Sequence, residues 1–233
     1  MRYLAIGDIH GYAEVLKRLL EAVQLQPDDQ IITVGDYVDR GPDSRGVIEY
    51  LLKFRDTGQL VALRGNHDFM MLEARGRFDM LKEWIYCGGN TTLASYGDNN
   101  AEGQFELIPD EHWEFLETFC VDWYEIDTHF FVHANVDPDL SLEEQPLYLL
   151  HWEPLLEARP HCSGKVMVCG HTKQRNGLPR NLGHAVCLDT WVYGEGWLTC
   201  LDVKTGQLWQ ASRRGELRTG WLGDPEPEAE DEW

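Results

Sequence analysis

Tyr3-Leu4-Ala5-Ile6-Gly7-Asp8-Ile9-His10-Gly11 sets a pattern that the chain repeats twice more. A short apolar run enters a glycine and then a cluster of polar side chains. The second copy runs from Ile31-Ile32-Thr33-Val34 into Gly35-Asp36-Tyr37-Val38-Asp39-Arg40-Gly41. The third runs from Leu60-Val61-Ala62-Leu63 into Arg64-Gly65-Asn66-His67-Asp68. Between them, Val15, Leu16, Leu19, Leu20 and Val23, then Val47, Ile48, Leu51 and Leu52, recur at helical spacing. Strand and helix alternating at this pitch predict βαβ units and a largely parallel sheet, an α/β fold. In such sheets ligands bind beyond the carboxyl ends of the strands, so the three polar clusters converge on one place.

Working outward, residues 69–119 read as mostly helical with glycine-rich breaks, and Asp110–Phe119 has a helix start after Pro109. Short strands dominate from Val121 onward: Phe130–Val132, Val166–Cys169, Ala185–Leu188, Leu198–Val203 and Leu208–Ala211, with a helix around Leu147–Ala158. Two of these strands also end in histidine, His133 directly after Val132 and His171 after Cys169-Gly170. No linker divides the chain. Residues 1–223 are expected to form one domain, and 224–233, acidic with two prolines, a frayed tail.

Composition narrows the function. Forty acidic against 20 basic residues give a net charge of −20 in 233 residues, opposite to a nucleic-acid footprint. No stretch approaches the ~18 apolar residues of a membrane-spanning helix. The first strand starts at Arg2, so no secretory leader is read and a cytoplasmic protein is expected. Six scattered cysteines without a CxxC pair read as reduced core thiols rather than a zinc site. His112, His129, His151, His161 and His184 show no ligand spacing, and Trp191, Tyr193 and Trp197 read equally as sheet packing or as a peptide contact.

One aspartate or histidine after a strand is ordinarily a cap or loop residue. Five strand ends in order, carrying carboxylate, carboxamide and imidazole but no thiolate, suit a pair of divalent ions such as Mn²⁺, Fe or Zn²⁺. A carboxylate such as Asp36 can bridge two ions about 3.5–4 Å apart.

The series GDIHG, GDYVDRG and RGNHD, followed by His133 in VHAN and His171 in CGHT, resembles the signature of the bacterial PPP serine/threonine protein phosphatases, within the calcineurin-like metallophosphoesterase superfamily. That resemblance implies a two-sheet β-sandwich with flanking helices. It implies that Asp8, His10 and Asp36 bind one metal, with Asp36 bridging to a second held by Asn66, His133 and His171. Mn²⁺ is the metal it suggests. It further implies that His67 and Asp39 handle the proton for the leaving group, while Arg40 and Arg64 grip the phosphoryl oxygens with forked donors. The expected reaction is hydrolysis of phosphoserine, phosphothreonine or phosphotyrosine esters by direct attack of a metal-held hydroxide. Substrates would be phosphorylated proteins or small phosphoesters.

Three departures keep alternatives open. Asp68 stands where protein phosphatases usually carry Glu, as it does in the related symmetrical diadenosine tetraphosphatases, although those tend to lack the pair present here as Asp39-Arg40 and the arginine present here as Arg64. Asn135 replaces a frequent glycine. A third phosphate-binding arginine is not assigned among Arg159, Arg175 and Arg180. The second expectation is therefore a diadenosine tetraphosphate hydrolase, and the third, from another class, a non-catalytic module that binds phosphorylated partners.

Overall fold

The computed structural model describes residues 1–224, and ten of the eleven strands among those described residues form within 1–212. The expected tail therefore lies outside the described residues, apart from Asp224.

β1 (Tyr3–Ile6), β2 (Gln30–Thr33) and β3 (Leu60–Ala62) run parallel, joined by α1 (Ala13–Val23) and α2 (Ser44–Asp56). The remaining helices of the first half are α3 (Asn66–Ala74), α4 (Phe78–Trp84), α5 (Asn90–Ser95) and α6 (Asp110–Glu114). β4 (Trp123–Glu125) and β5 (His129–Val132) open the second half, followed by α7 (Leu147–Trp152). Then come β6 (Val166–Cys169), β7 (Arg180–Asn181), β8 (Ala185–Cys187), β9 (Trp197–Asp202), β10 (Gln207–Ser212) and β11 (Leu217–Trp221).

The strands make two mixed sheets, ordered β11-β10-β9-β1-β2-β3 and β4-β5-β6-β8-β7. Each holds a parallel triplet, β1–β2–β3 in one and β5–β6–β8 in the other. The parallel reading is correct for β1–β3, but β9 returns antiparallel to β1, and β10 and β11 complete that sheet through antiparallel hairpins. β11 escaped the sequence pattern because Arg218, Thr219 and Gly220 carry no apolar run, and its alternating exposure suits an edge.

Side-chain alternation sorts the strands into layers. Ala5, Ile32, Leu201 and Leu208 face Phe131, Val168 and Val186 between the sheets. Leu4, Ile6 and Ile31 turn outward onto the apolar stripes of α1 and α2. Phe130, Val132, Met167 and Cys187 close over Leu142, Leu150 and Leu155 on the far side. The helix expected over Leu147–Ala158 stops at Trp152, because Pro154 disfavours helical backbone at Glu153. Among the described residues no helix is long and apolar enough to cross a membrane.

Candidate active site

The two parallel triplets end side by side, and their loops enclose a cavity of about 350 Å³. Its lining includes Asp36, Arg40, Asn66, His67 and His171, together with Pro154, Thr172, Lys173 and Tyr193. The loops approach each other at glycine. A Cβ on Gly65 would lie 2.1 Å from Asp36 Oδ1, and one on Gly170 would lie 2.0 Å from Asp8 Oδ1. Only a hydrogen fits at either position.

Asp36 stands at the centre. Its two oxygens lie 3.4 Å from His10 Nε2 and 3.5 Å from His133 Nε2. Ligand atoms of His10, Asp36 and His67 form one group within 4.8 Å, and those of Asp8, Asp36 and His133 form another. Asp36 is thus common to both. Burial works against its charge, yet His133, His67, His10 and Arg40 hold the carboxylate below its ordinary range.

The imidazoles are oriented from behind. His10 Nδ1 donates to Val38 O at 3.0 Å, His133 Nδ1 to Val34 O at 2.8 Å, and His171 Nε2 to Trp152 O at 3.1 Å. Burial pushes all three rings toward the neutral form, His133 down to about 3. A neutral ring that donates through one nitrogen presents a lone pair on the other. His133 Nε2 and His171 Nδ1 each lie 3.0 Å from Asn66 Oδ1. Three acceptors therefore converge with no proton among them, which is the environment a cation fits. Burial, followed by Asp189 and Asp36, drives the Asp8 carboxyl well up, a direction that a divalent cation would reverse.

A second constellation adjoins the first. His67 Nδ1 donates to Asp39 Oδ2 at 2.7 Å, and both rest almost wholly buried. Asp39 also accepts from Trp84 Nε1 at 2.9 Å and from Thr92 Oγ1 at 2.8 Å. The Arg40 fork donates to His10 Nε2 at 2.7 Å and to His67 Nε2 at 2.8 Å, and packs 4.2 Å over the Tyr193 ring. His10, Asp36, Asp39, Arg40 and His171 all hold left-handed backbone, with φ from 47° to 72°. They are five of the eight non-glycine residues in that region among those described. Such strain, about 1–3 kcal/mol per residue, gathers at functional sites.

Nine of the ten site residues expected from sequence meet here. Arg64, expected at the phosphate, does not. Its guanidinium donates to Leu116 O, Glu117 O and Cys120 O and pairs with Asp122 at 3.2 Å. Those carbonyls end the helical turn Phe115–Phe119, whose unpaired oxygens call for a donor. Asp68 is equally committed to backbone. Its carboxylate accepts from Gly65 N, Asp36 N and Tyr37 N at 2.8–2.9 Å, fastening two site loops together. Arg159 pairs with Asp139, Arg180 donates to Leu155 O and Leu156 O, and Arg175 lies over Trp191, so none of these three lines the cavity.

Tyr193, Lys173 and Trp84 were not assigned from sequence. Tyr193 and Lys173 sit in loops without periodicity, and Trp84 lies 45 residues from its partner Asp39. The order Asp189-Thr190 then aromatic was the one signal available for Tyr193.

A family model described as calcineurin-like phosphoesterase matches residues 1–186. Serine/threonine-protein phosphatase 1 of Salmonella typhimurium is 32% identical over 208 residues, which is 85% of this chain and 90% of that protein. The symmetrical bis(5′-nucleosyl)-tetraphosphatase of Pseudomonas fluorescens is 42% identical over 84 residues, 36% of this chain and 29% of that protein. A crystal structure assigned provisionally as a diadenosine tetraphosphatase superposes with a TM-score of 0.63 at 22% identity, covering 95% of each chain. At that identity the likeness concerns the fold.

Proposed function

The chain belongs to the calcineurin-like phosphoesterase family, and from that premise we propose that it is a phosphoprotein phosphatase that cleaves phosphoserine and phosphothreonine esters. The family is a metal-dependent hydrolase family that works with two ions. Here Asp8, His10 and Asp36 would hold one, and Asp36, Asn66, His133 and His171 the other, with Mn²⁺ the proposed metal. Bound there, the ions would activate a water molecule and neutralise charge on the phosphoryl group.

The observation that carries the proposal is the His67–Asp39 pair at the edge of the cavity. A serine or threonine alkoxide is a poor leaving group and needs a proton as the ester bond breaks. His67 Nε2 lies beside Arg40; once the Arg40 fork turns to the phosphoryl oxygens, that nitrogen is free to take up a proton and pass it to the leaving oxygen, while Asp39 fixes the ring through Nδ1. Trp84 and Thr92 in turn fix Asp39. A nucleotide polyphosphate departs as a stable anion and gains little from such a donor. Arg40 would turn its fork to the phosphoryl oxygens, held in place by stacking on Tyr193. Lys173 makes no hydrogen bond or ion pair among the described residues and lines the same cavity, so it can supply the second cation in place of Arg64.

Similarity to symmetrical tetraphosphatases favours a dinucleotide substrate instead, but Asp68 no longer adds to it, since backbone amides occupy that carboxylate. Turnover by Mn²⁺-loaded protein on a phosphothreonine peptide, p-nitrophenyl phosphate and diadenosine tetraphosphate distinguishes the two, with Asp8→Asn as the control for contaminating phosphatase. Cleavage of the peptide and the aryl ester at rates well above the dinucleotide is expected. The reverse ranking would overturn the proposal.

A further inference from the structure

α7 carries no candidate ligand, yet it touches each of the three segments that present Asn66, His133 and His171. Ala134 N donates to Leu150 O at 2.8 Å and Asn135 N to Leu149 O at 3.0 Å, immediately after His133. His171 Nε2 donates to Trp152 O at 3.1 Å. His151, 3% exposed, donates from Nδ1 to Arg64 O at 2.9 Å, two residues before Asn66. Its Nε2 lies 3.1 Å from Asp122 Oδ1, the carboxylate that also takes the Arg64 guanidinium at 3.2 Å. Its ring stacks on Phe69 of α3, centroids 6.2 Å apart and planes inclined by 22°. Asp8 and His10 have no hydrogen bond to this helix among the described residues.

We infer that α7 positions one metal site and not the other, and that His151 is the positioning residue through which it sets Asn66. The inference rests on the two-ion reading given above. The three convergent acceptors Asn66 Oδ1, His133 Nε2 and His171 Nδ1 sit on β3, β5 and β6 loops from two different sheets. Nothing in β3, β5 or β6 fixes all three loops at once. α7 does so with main-chain oxygens on two sides and the His151 ring on the third. Removing that ring leaves the partly buried Arg64 O without its donor and frees the loop that aims Asn66. Outer partners of this kind typically change metal affinity by roughly 10–100-fold.

The test is Mn²⁺ titration of metal-free protein, following free ion by electron paramagnetic resonance, alongside melting of the metal-free forms. Wild type is expected to take up two ions. His151→Ala should weaken one uptake step by roughly 10–100-fold and leave the other within about twofold. His151→Gln, which retains a donor toward Arg64 O and a comparable volume, should recover part of the loss and serves if the alanine variant does not fold. Tyr148→Ser, on the exposed face of the same helix, should change neither step. Two unchanged steps in His151→Ala, or two that weaken together in step with a lower melting temperature, overturn the inference and leave the two-ion reading standing. Fewer than two ions in wild type removes the reading and the inference with it.

Discussion

The two flanks of the cavity reach the same end by different means. On the early flank, β1–β3 place Asp8, His10, Asp36, Asn66 and His67, and several supporting contacts come from the same three loops, with Asn66 braced from α7 as well: Val38 O orients His10, and Asp68 ties Asp36 N to Gly65 N. On the late flank, β5 and β6 place only His133 and His171, and their support comes from distant segments: Val34 O, 99 residues from His133, and Trp152 O at the end of α7. A motif that carries its own support is visible in a one-dimensional sequence. A ligand braced from elsewhere shows only its own residue type and its place after a strand.

Asp36 joins the flanks, so its loss should do the most damage. Asp36→Asn is expected to abolish uptake of both ions and to lower turnover beyond the roughly 10²–10⁴-fold that a single proton-transfer group supplies. Retention of one tightly bound ion, read by metal analysis after desalting, would mean that the flanks hold their ions independently.

Two arginines, each beside a glycine of an early motif, give the next contrast. Arg40→Ala should lower kcat/KM by roughly 10²–10³-fold with little change in Tm, since the side chain is exposed and serves the cavity. Arg64→Ala should leave KM for p-nitrophenyl phosphate nearly unchanged and instead cost about 1–3 kcal/mol of stability, from the carbonyls it leaves unpaired. A large rise in KM in Arg64→Ala at unchanged Tm would restore that residue to the phosphate.

The smallest effect separates a flank from the rest by pH. Burial lowers His133 to about 3, whereas an unfolded histidine titrates near 6.5. Below pH 6.5 the unfolded chain therefore takes up the proton first, and stability that is present above that pH is lost as pH falls toward 3. Metal-free wild type should lose stability relative to metal-free His133→Asn, by up to about 1.4 kcal/mol per pH unit within that window. A difference in Tm between the two that stays constant from pH 7.5 to 5 would show that His133 is not buried neutral.

Much of the architecture follows from apolar runs that end in glycine, because each such run is both a buried strand and a sharp exit. Asp8, Asp36 and Asn66 were legible for that reason. Arg64 carried the same local signal and misled, because its side chain answers to the carbonyls of Leu116, Glu117 and Cys120, more than fifty residues on. His151 had no signal at all: its partners Asp122 and Arg64 lie 29 and 87 positions away. The antiparallel return of β9–β11 was hidden in the same way, by pairings that only the closed sheet creates.

Left-handed backbone at His10, Asp36, Asp39, Arg40 and His171 has a consequence for how this protein can change. Glycine relieves such a conformation, and at each of the five positions it would also remove a side chain that the cavity uses. At Arg40, whose side chain is exposed, that exchange trades function for ease of folding, whereas at Asp39 it would also strand Trp84 Nε1 and Thr92 Oγ1. A library selected for heat resistance alone would be free to drift at Arg40, and the survivors would be well-folded proteins with an eroded cavity. Directed evolution of this chain thus requires that activity be scored in every round.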